Sequence, residues 1–213
     1  PDAKPRAAEV LGVETQVLDN HDGELMPTLE NRKSVTRLIR QWKADLVFAP
    51  RAWDYHPDHR YTGVLVQDAA YMVTIPYFCP DVPHLEDNPV FMYYYDNFQK
   101  PYPFRPDVIV SIDKTIDIKL RALEQIESQF LDWWMRKSPI DLKDAAARRA
   151  TIDKFFRGRN EQPAQAYPDL LRAYYGAKAQ NVKYAEAFEL CEYGRRPSRE
   201  ELRKMFLIDA PGK

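Results

Sequence analysis

The chain has 213 residues, enough for one domain with a sizeable core. Its 45% hydrophobic and 30% charged residues suit a globular chain in water, and its net charge of −1 comes from interspersed acids and bases, which excludes a function built on a global attraction to nucleic acid or an anionic surface. No apolar run approaches the ~18 residues of a membrane span, and Cys79 and Cys191 are far apart and outside any CxxC spacing, so no disulfide scaffold is indicated. The default compartment is the cytoplasm, with a leader upstream of residue 1 left open because the chain begins at Pro1 rather than at Met.

In chain order, a helix is expected over 5–11, opened by Pro5 and stopped by Gly12. Residues 15–18 form a short β-prone run that gives way to the loop Asp19-Asn20-His21-Asp22-Gly23. A second helix begins near Thr28, with Val35, Leu38, Ile39 and Trp42 at helical spacing. Residues 44–50 read as a buried strand stopped by Pro50, and 62–73 as the next helix. The proline-rich stretch 76–89 reads as a long irregular loop, 90–95 and 108–112 as strands, and 119–134 as a strong helix. Beyond residue 138 the composition turns helical and polar, with helices expected over 144–156, 170–179 and 199–205. This alternation predicts a single α/β domain, a Rossmann-like three-layer sandwich with a mainly parallel sheet. Ligands in such folds bind beyond the carboxyl ends of the strands.

The loop leaving the strand at 44–50 carries the densest chemistry. Asp54, His56, Asp58 and His59 fall within six residues, two carboxylates with two imidazoles. Histidine is the common nitrogen ligand of zinc, and a working imidazole needs a partner that fixes its tautomer. Pro57 can open the following helix and set His56 and His59 about one turn apart. Two histidines spaced three apart are by themselves better explained as a polar turn that caps a helix and satisfies loop carbonyls; four ionisable groups at a strand's carboxyl end favour a site. The run Phe91-Met92-Tyr93-Tyr94-Tyr95 reads as a sheet strand rather than a sugar-stacking platform, and Arg148-Arg149 and Arg195-Arg196 as solvated faces.

The block His56-Pro57-Asp58-His59, entered from Arg51 and Asp54-Tyr55 and followed by Gly63, resembles the second signature of the PIG-L/LmbE deacetylases. Residues 6–13, the loop 19–25, the stretch 111–129 and residues 184–188 resemble further segments of that family in the same order. The resemblance implies a metal-dependent amidase that removes an acetyl group from an N-acetylated amino sugar or sugar conjugate, using zinc or another divalent metal. It implies His59 as a metal ligand, His56 as the group that protonates the leaving amine or polarises the carbonyl, and Asp58 as the group that orients His56. Asp22, Arg51, Asp54 and Tyr55 become candidate substrate contacts. The family's early HPDD-type motif, which supplies a His and an Asp ligand and the general base, has no counterpart in the 213 residues; the expectation is that it precedes residue 1. His84 with Asp87 has a ligand-like spacing but lies in the proline-rich loop and reads as solvated. The alternative function is a non-catalytic carbohydrate-binding or scaffold protein of the same fold. Neither a nucleic-acid partner nor a membrane span is expected, and a homo-oligomer is left open.

Overall fold

The structure, a computed structural model, describes residues 3–141 and 143–209. The chain forms two compact units, one from residues 1–18 and 110–186, the other from 19–109 and 187–213. All the ionisable groups of the 54–59 loop belong to the second unit.

In that unit, helix α2 (Leu29–Trp42) starts where the Thr28 hydroxyl accepts the Asn31 N–H at 3.2 Å, and ends at Lys43 in the left-handed region. Strand β1 (Leu46–Ala49) follows, then helix α3 (Pro57–Met72), then strand β2 (Val90–Tyr94). β1 and β2 are parallel, Leu46 opposite Val90 and Ala49 opposite Tyr93, with α3 as the crossover. α2 packs on α3 and α3 on β1, burying Leu65, Ala69, Ala70 and Val73 of α3. Val90 to Tyr93 are all buried, as expected of a strand covered on both faces, so β2 is sheet core and not an aromatic platform.

The sheet order is β1-β2-β4-β3, with β3 at Val108–Ser111 and β4 at Ala185–Leu190. The expected mainly parallel sheet is not what forms among the described residues. β4 runs antiparallel to β2, Met92 opposite Leu190 and Tyr94 opposite Phe188. It also runs antiparallel to β3, the ladder being flanked by the Asp107 N–H on the Phe188 carbonyl and the Ile112 N–H on the Tyr184 carbonyl, each 2.9 Å. No strand is expected at 184–188 from the sequence, and this returning strand exists through its pairing with β2 and β3. The result is a mixed α/β fold.

The first unit contains α1 (Ala3–Leu11), ended by Gly12 at φ 67°, and packs it on α4 (Ile116–Glu124). The helix expected over 119–134 is interrupted. α4 closes with tightened bonds, Gln125 N–H to Ala122 and Ile126 N–H to Leu123, and a wide π-helical segment follows over Ser128–Trp134. The change of winding seats Phe130 and buried Met135 on the cluster of Ile112, Ile116, Leu120, Ile152 and Tyr184. Helices α5 (Ala145–Ala166) and α6 (Pro168–Tyr175) complete the unit. Glu186 pairs with Lys119, whose ammonium also donates to the Asn160 Oδ1 at 2.9 Å, which makes Glu186 a structural residue. The β-prone run 15–18 forms no strand; Val17 and Leu18 are exposed and have no ladder to join. In the second unit the last helix, α7 (Arg199–Met205), begins with a capping box of Ser198 and Glu201.

The irregular stretch 76–89 is organised from α2. Arg40, 2% exposed, donates to the carbonyls of Met72, Val73, Ile75, Phe78, Cys79 and Val82 at 2.6–3.0 Å. Burial pushes its guanidinium below the ordinary value, so the charge is held by carbonyl dipoles more than by a carboxylate. Arg40→Met leaves those carbonyls without their donor and is expected to lower stability by on the order of 3 kcal/mol. Urea unfolding at neutral pH measures this, and an unchanged midpoint would mean that the loop is held by other contacts.

Candidate active site at the start of helix α3

β1 delivers the chain to Pro50, and the loop that follows reaches the first turn of α3 with Pro57 at a position where its missing N–H costs nothing. The helix lies close against the loop backbone at Gly63. A Cβ there would stand 2.7 Å from the Pro50 carbonyl oxygen and 2.9 Å from the Ala52 nitrogen. Only glycine permits this approach. Arg60 adds a second tie, its Nη1 donating to the carbonyls of Asp54 and Tyr55 at 3.0 and 2.9 Å.

The two histidines are held in opposite tautomers. His56 is the N-cap of α3, and its Nδ1 accepts the Asp58 N–H at 3.2 Å. A nitrogen that accepts carries no proton, so neutral His56 bears its proton on Nε2. His59 Nδ1 lies 3.0 Å from the Asp54 Oδ1. A carboxylate can only accept, so Nδ1 of His59 donates and its Nε2 keeps a bare lone pair. Asp54 is fixed in turn by the His56 backbone N–H, 2.9 Å from the same oxygen. An imidazole backed by a carboxylate on one nitrogen and open on the other is the usual form of a metal-binding histidine. The His56 and His59 rings are 4.8 Å apart.

The expected bond from the Asp58 carboxylate to His56 is not made. That carboxylate accepts the N–H groups of Gly23 at 2.7 Å and Leu25 at 3.2 Å. The Gly23 bond above all, helped by that of Leu25, holds Asp58 below the usual carboxylate range. The motif thus grips the 21–25 turn through Asp58 and orients His56 through the amide of the same residue. The grip brings Asp22 to the site. One ligand atom each of Asp22, His56 and Asp58 lie within 4.8 Å of one another. A nitrogen with carboxylate oxygens is a donor set suited to zinc and similar divalent ions. Proximity puts His56 in this set; its Nδ1 accepts the Asp58 N–H and its proton lies on Nε2, whereas His59, outside the set, keeps a lone pair on Nε2. His84 and Asp87 join no such group among the described residues, and His84 Nε2 lies 3.5 Å from Glu86.

Arg51, expected at the substrate, is 1% exposed and spends its nitrogens within the protein, on Asp96, Phe98 and Tyr102. It has no face to offer a ligand. Its partners lie 45 or more residues along the chain, so no local signal in the sequence could have assigned it. Tyr55 is the opposite case, 74% exposed, with its ring edge-on to His56 and His59 at 6.1 and 5.8 Å. Asp54 is largely buried and is occupied as the partner of His59.

Residues 4–70 match the PIG-L family, described as GlcNAc-PI de-N-acetylase. The chain is 33% identical over 133 residues to a diacetylchitobiose deacetylase from Thermococcus kodakarensis, covering 59% of this chain and 47% of that protein. The chain thus spans about half the length of that relative. Among solved structures, an N,N'-diacetylchitobiose deacetylase from Pyrococcus horikoshii, in complex with an inhibitor, superposes with a TM-score of 0.63 at 25% identity over 90% of this chain and 62% of that one. GalB, a 4-carboxy-2-hydroxymuconate hydratase from Pseudomonas putida, superposes with a TM-score of 0.67 over 91% of this chain and 70% of its own; at 18% identity it shows the shared fold alone.

Gly63→Ala is expected to cost roughly 1–3 kcal/mol, because a methyl group has to displace backbone. Thermal unfolding reads the cost, and histidine NMR shifts report whether the 54–59 loop moves with it. Asp58→Ala should release the turn it grips, so the protection of the Gly23 and Leu25 amides in hydrogen exchange falls to that of an open loop. In the unaltered protein the depressed Asp58 contributes above the ordinary aspartate range and is lost as pH falls through its lowered folded value. The same two amides should therefore lose protection on acidification, and protection that persists at low pH would contradict the assignment.

Proposed function

The chain is PIG-L/LmbE-like, and on that premise we propose that it is a zinc-dependent N-deacetylase acting on an N-acetylated amino sugar or sugar conjugate. The observation that carries the reading is the pair of opposed imidazoles, one presenting a proton and the other a lone pair, 4.8 Å apart at the mouth of one loop. Amide hydrolysis can use both, because the lone pair suits a metal that polarises the carbonyl and the N–H suits the negative charge that develops on the carbonyl oxygen.

His59 Nε2, backed by Asp54, is the nitrogen assigned to the metal; the carboxylates of Asp22 and Asp58, which cluster with His56 rather than with His59, are the nearby oxygen donors on this chain. A divalent ion, when bound, supplies Lewis-acid polarisation of the amide carbonyl. His56 Nε2–H donates a hydrogen bond to the amide oxygen as that oxygen gains charge. The proton that the amine nitrogen takes as the C–N bond breaks comes from the attacking water. The Asp58 amide, by occupying Nδ1, keeps the His56 proton on the outward nitrogen. Asp22 is exposed and is also open to the sugar hydroxyls. The deacetylase names of the relatives from Thermococcus and Pyrococcus support an amino-sugar substrate of the chitobiose type.

The test uses protein expressed from its complete reading frame and loaded with zinc. Acetate release from N-acetylglucosamine and N,N'-diacetylchitobiose is expected. His56→Ala should lower kcat by about 100-fold or more while zinc content by elemental analysis is retained. His59→Ala should lose the metal together with the activity. Sugar binding without acetate release across a panel of N-acetyl sugars would replace this reading by that of a carbohydrate-binding protein.

A further inference from the structure

The most fully used side chain beside the site is Arg51. Its Nε and Nη2 form a fork on the Asp96 carboxylate at 2.7 and 2.5 Å. Nη1 donates to the Tyr102 carbonyl and Nη2 to the Phe98 carbonyl, each at 3.0 Å. The guanidinium carbon also lies 5.2 and 5.6 Å from the ring centres of Tyr102 and Phe104. Burial works most strongly against this charge, but the bonds and charge of Asp96, with Glu189 and Tyr102, together hold the guanidinium above its ordinary value. Asp96 in turn accepts the Phe98 N–H at 2.9 Å. The segment 96–104 has no helix or strand of its own, so one side chain, fixed just beyond β1, sets its course at three points.

That course passes Tyr55, the neighbour of the histidines. The Phe98 ring is 6.3 Å from the Tyr55 ring, which stands edge-on to both imidazoles. Phe98 is half-buried and Tyr55 exposed. The two rings therefore present an aromatic border next to the polar site. The charge behind that border is neutralised by Asp96, so it favours an uncharged ring with an apolar C–H face over an anion. A pyranose has such a face, with its hydroxyls at the rim where polar groups are at hand.

We propose that Arg51 is a positioning residue that locks segment 96–104 so that Phe98 and Tyr55 together form the wall on which the pyranose ring of the substrate rests. The inference rests on the deacetylase reading and adds to it a demand for a sugar ring, where acetamide chemistry alone would accept an acyclic amide. Arg51 touches no substrate; it acts through Phe98.

Steady-state kinetics of the zinc-loaded protein on two amides, N,N'-diacetylchitobiose and acyclic N-acetylethanolamine, test it. In Phe98→Ala the ratio of kcat/KM for the sugar over the acyclic amide should fall about tenfold, mostly through KM for the sugar, since stacking is lost in ground and transition states alike. Arg51→Lys keeps the charge but not the fork, and should reproduce that loss of preference; if it fails to fold, Phe98→Ala alone decides. Phe98→Trp should restore the preference. An unchanged ratio in Phe98→Ala would overturn the wall even with deacetylation fully established. If the unaltered protein hydrolyses neither amide, the deacetylase reading fails, and calorimetric binding of chitobiose then decides the wall. Binding weakened about tenfold by Phe98→Ala supports it, and binding that is absent or indifferent to the change overturns it.

Discussion

The close approach of helix α3 to the backbone after β1 is the constraint on which the site depends. At Gly63 the helix lies where any side chain would meet the Pro50 carbonyl and the Ala52 nitrogen. This contact brings the helix start back over the end of the strand, within a loop of only a few residues. That loop has to turn sharply, and its polar groups are satisfied by the groups that carry the chemistry: Asp54 accepts the His56 N–H and His56 accepts the Asp58 N–H. The fold and the chemistry therefore share the same hydrogen bonds, and a change that loosens the turn also alters the protonation pattern of the site.

The pattern itself follows from elementary donor and acceptor rules. His56 caps a helix, an unusual duty for an imidazole, and that duty forces its proton outward. His59 leans on a carboxylate, which forces its proton inward. Two copies of one residue type, three positions apart, acquire different chemistry because one faces an amide and the other an acid. Asp58 contributes by its amide to one of these and by its carboxylate to the 21–25 turn, so a single residue couples the tautomer of His56 to the placement of Asp22.

Two buried arginines apply a common solution to the irregular segments of the second unit. Arg40 collects six carbonyls from 72–82, and Arg51 binds one carboxylate and two carbonyls from 96–102. A guanidinium has five donors in a planar fork and can order a loop that has no ladder of its own. Each arginine is held by a regular element or its immediate end, so the rigidity of α2 and β1 is passed to segments that would otherwise lack it.

The local elements were legible in the sequence because their signals are local. Helical spacing marked α2, the apolar run before Pro50 marked β1, and the spacing of two imidazoles and two carboxylates marked the site. The family likeness rested on that block together with further short segments in the same order along the chain. What the sequence could not express was pairing at a distance. The antiparallel β4 depends on a partner, β2, about a hundred residues earlier; the break after α4 depends on the cluster that Phe130 and Met135 join; the run 15–18 stays irregular for want of a neighbour. The roles within the site divide in the same way. Residue types at 54–59 were enough to mark the loop as a candidate site, because that depends on composition. Which histidine presents a proton, which carboxylate grips a turn, and whether Arg51 faces a ligand or the interior were decided by tertiary structure, because a side chain's role is set by the partner it meets, and those partners are brought together only when the chain has folded.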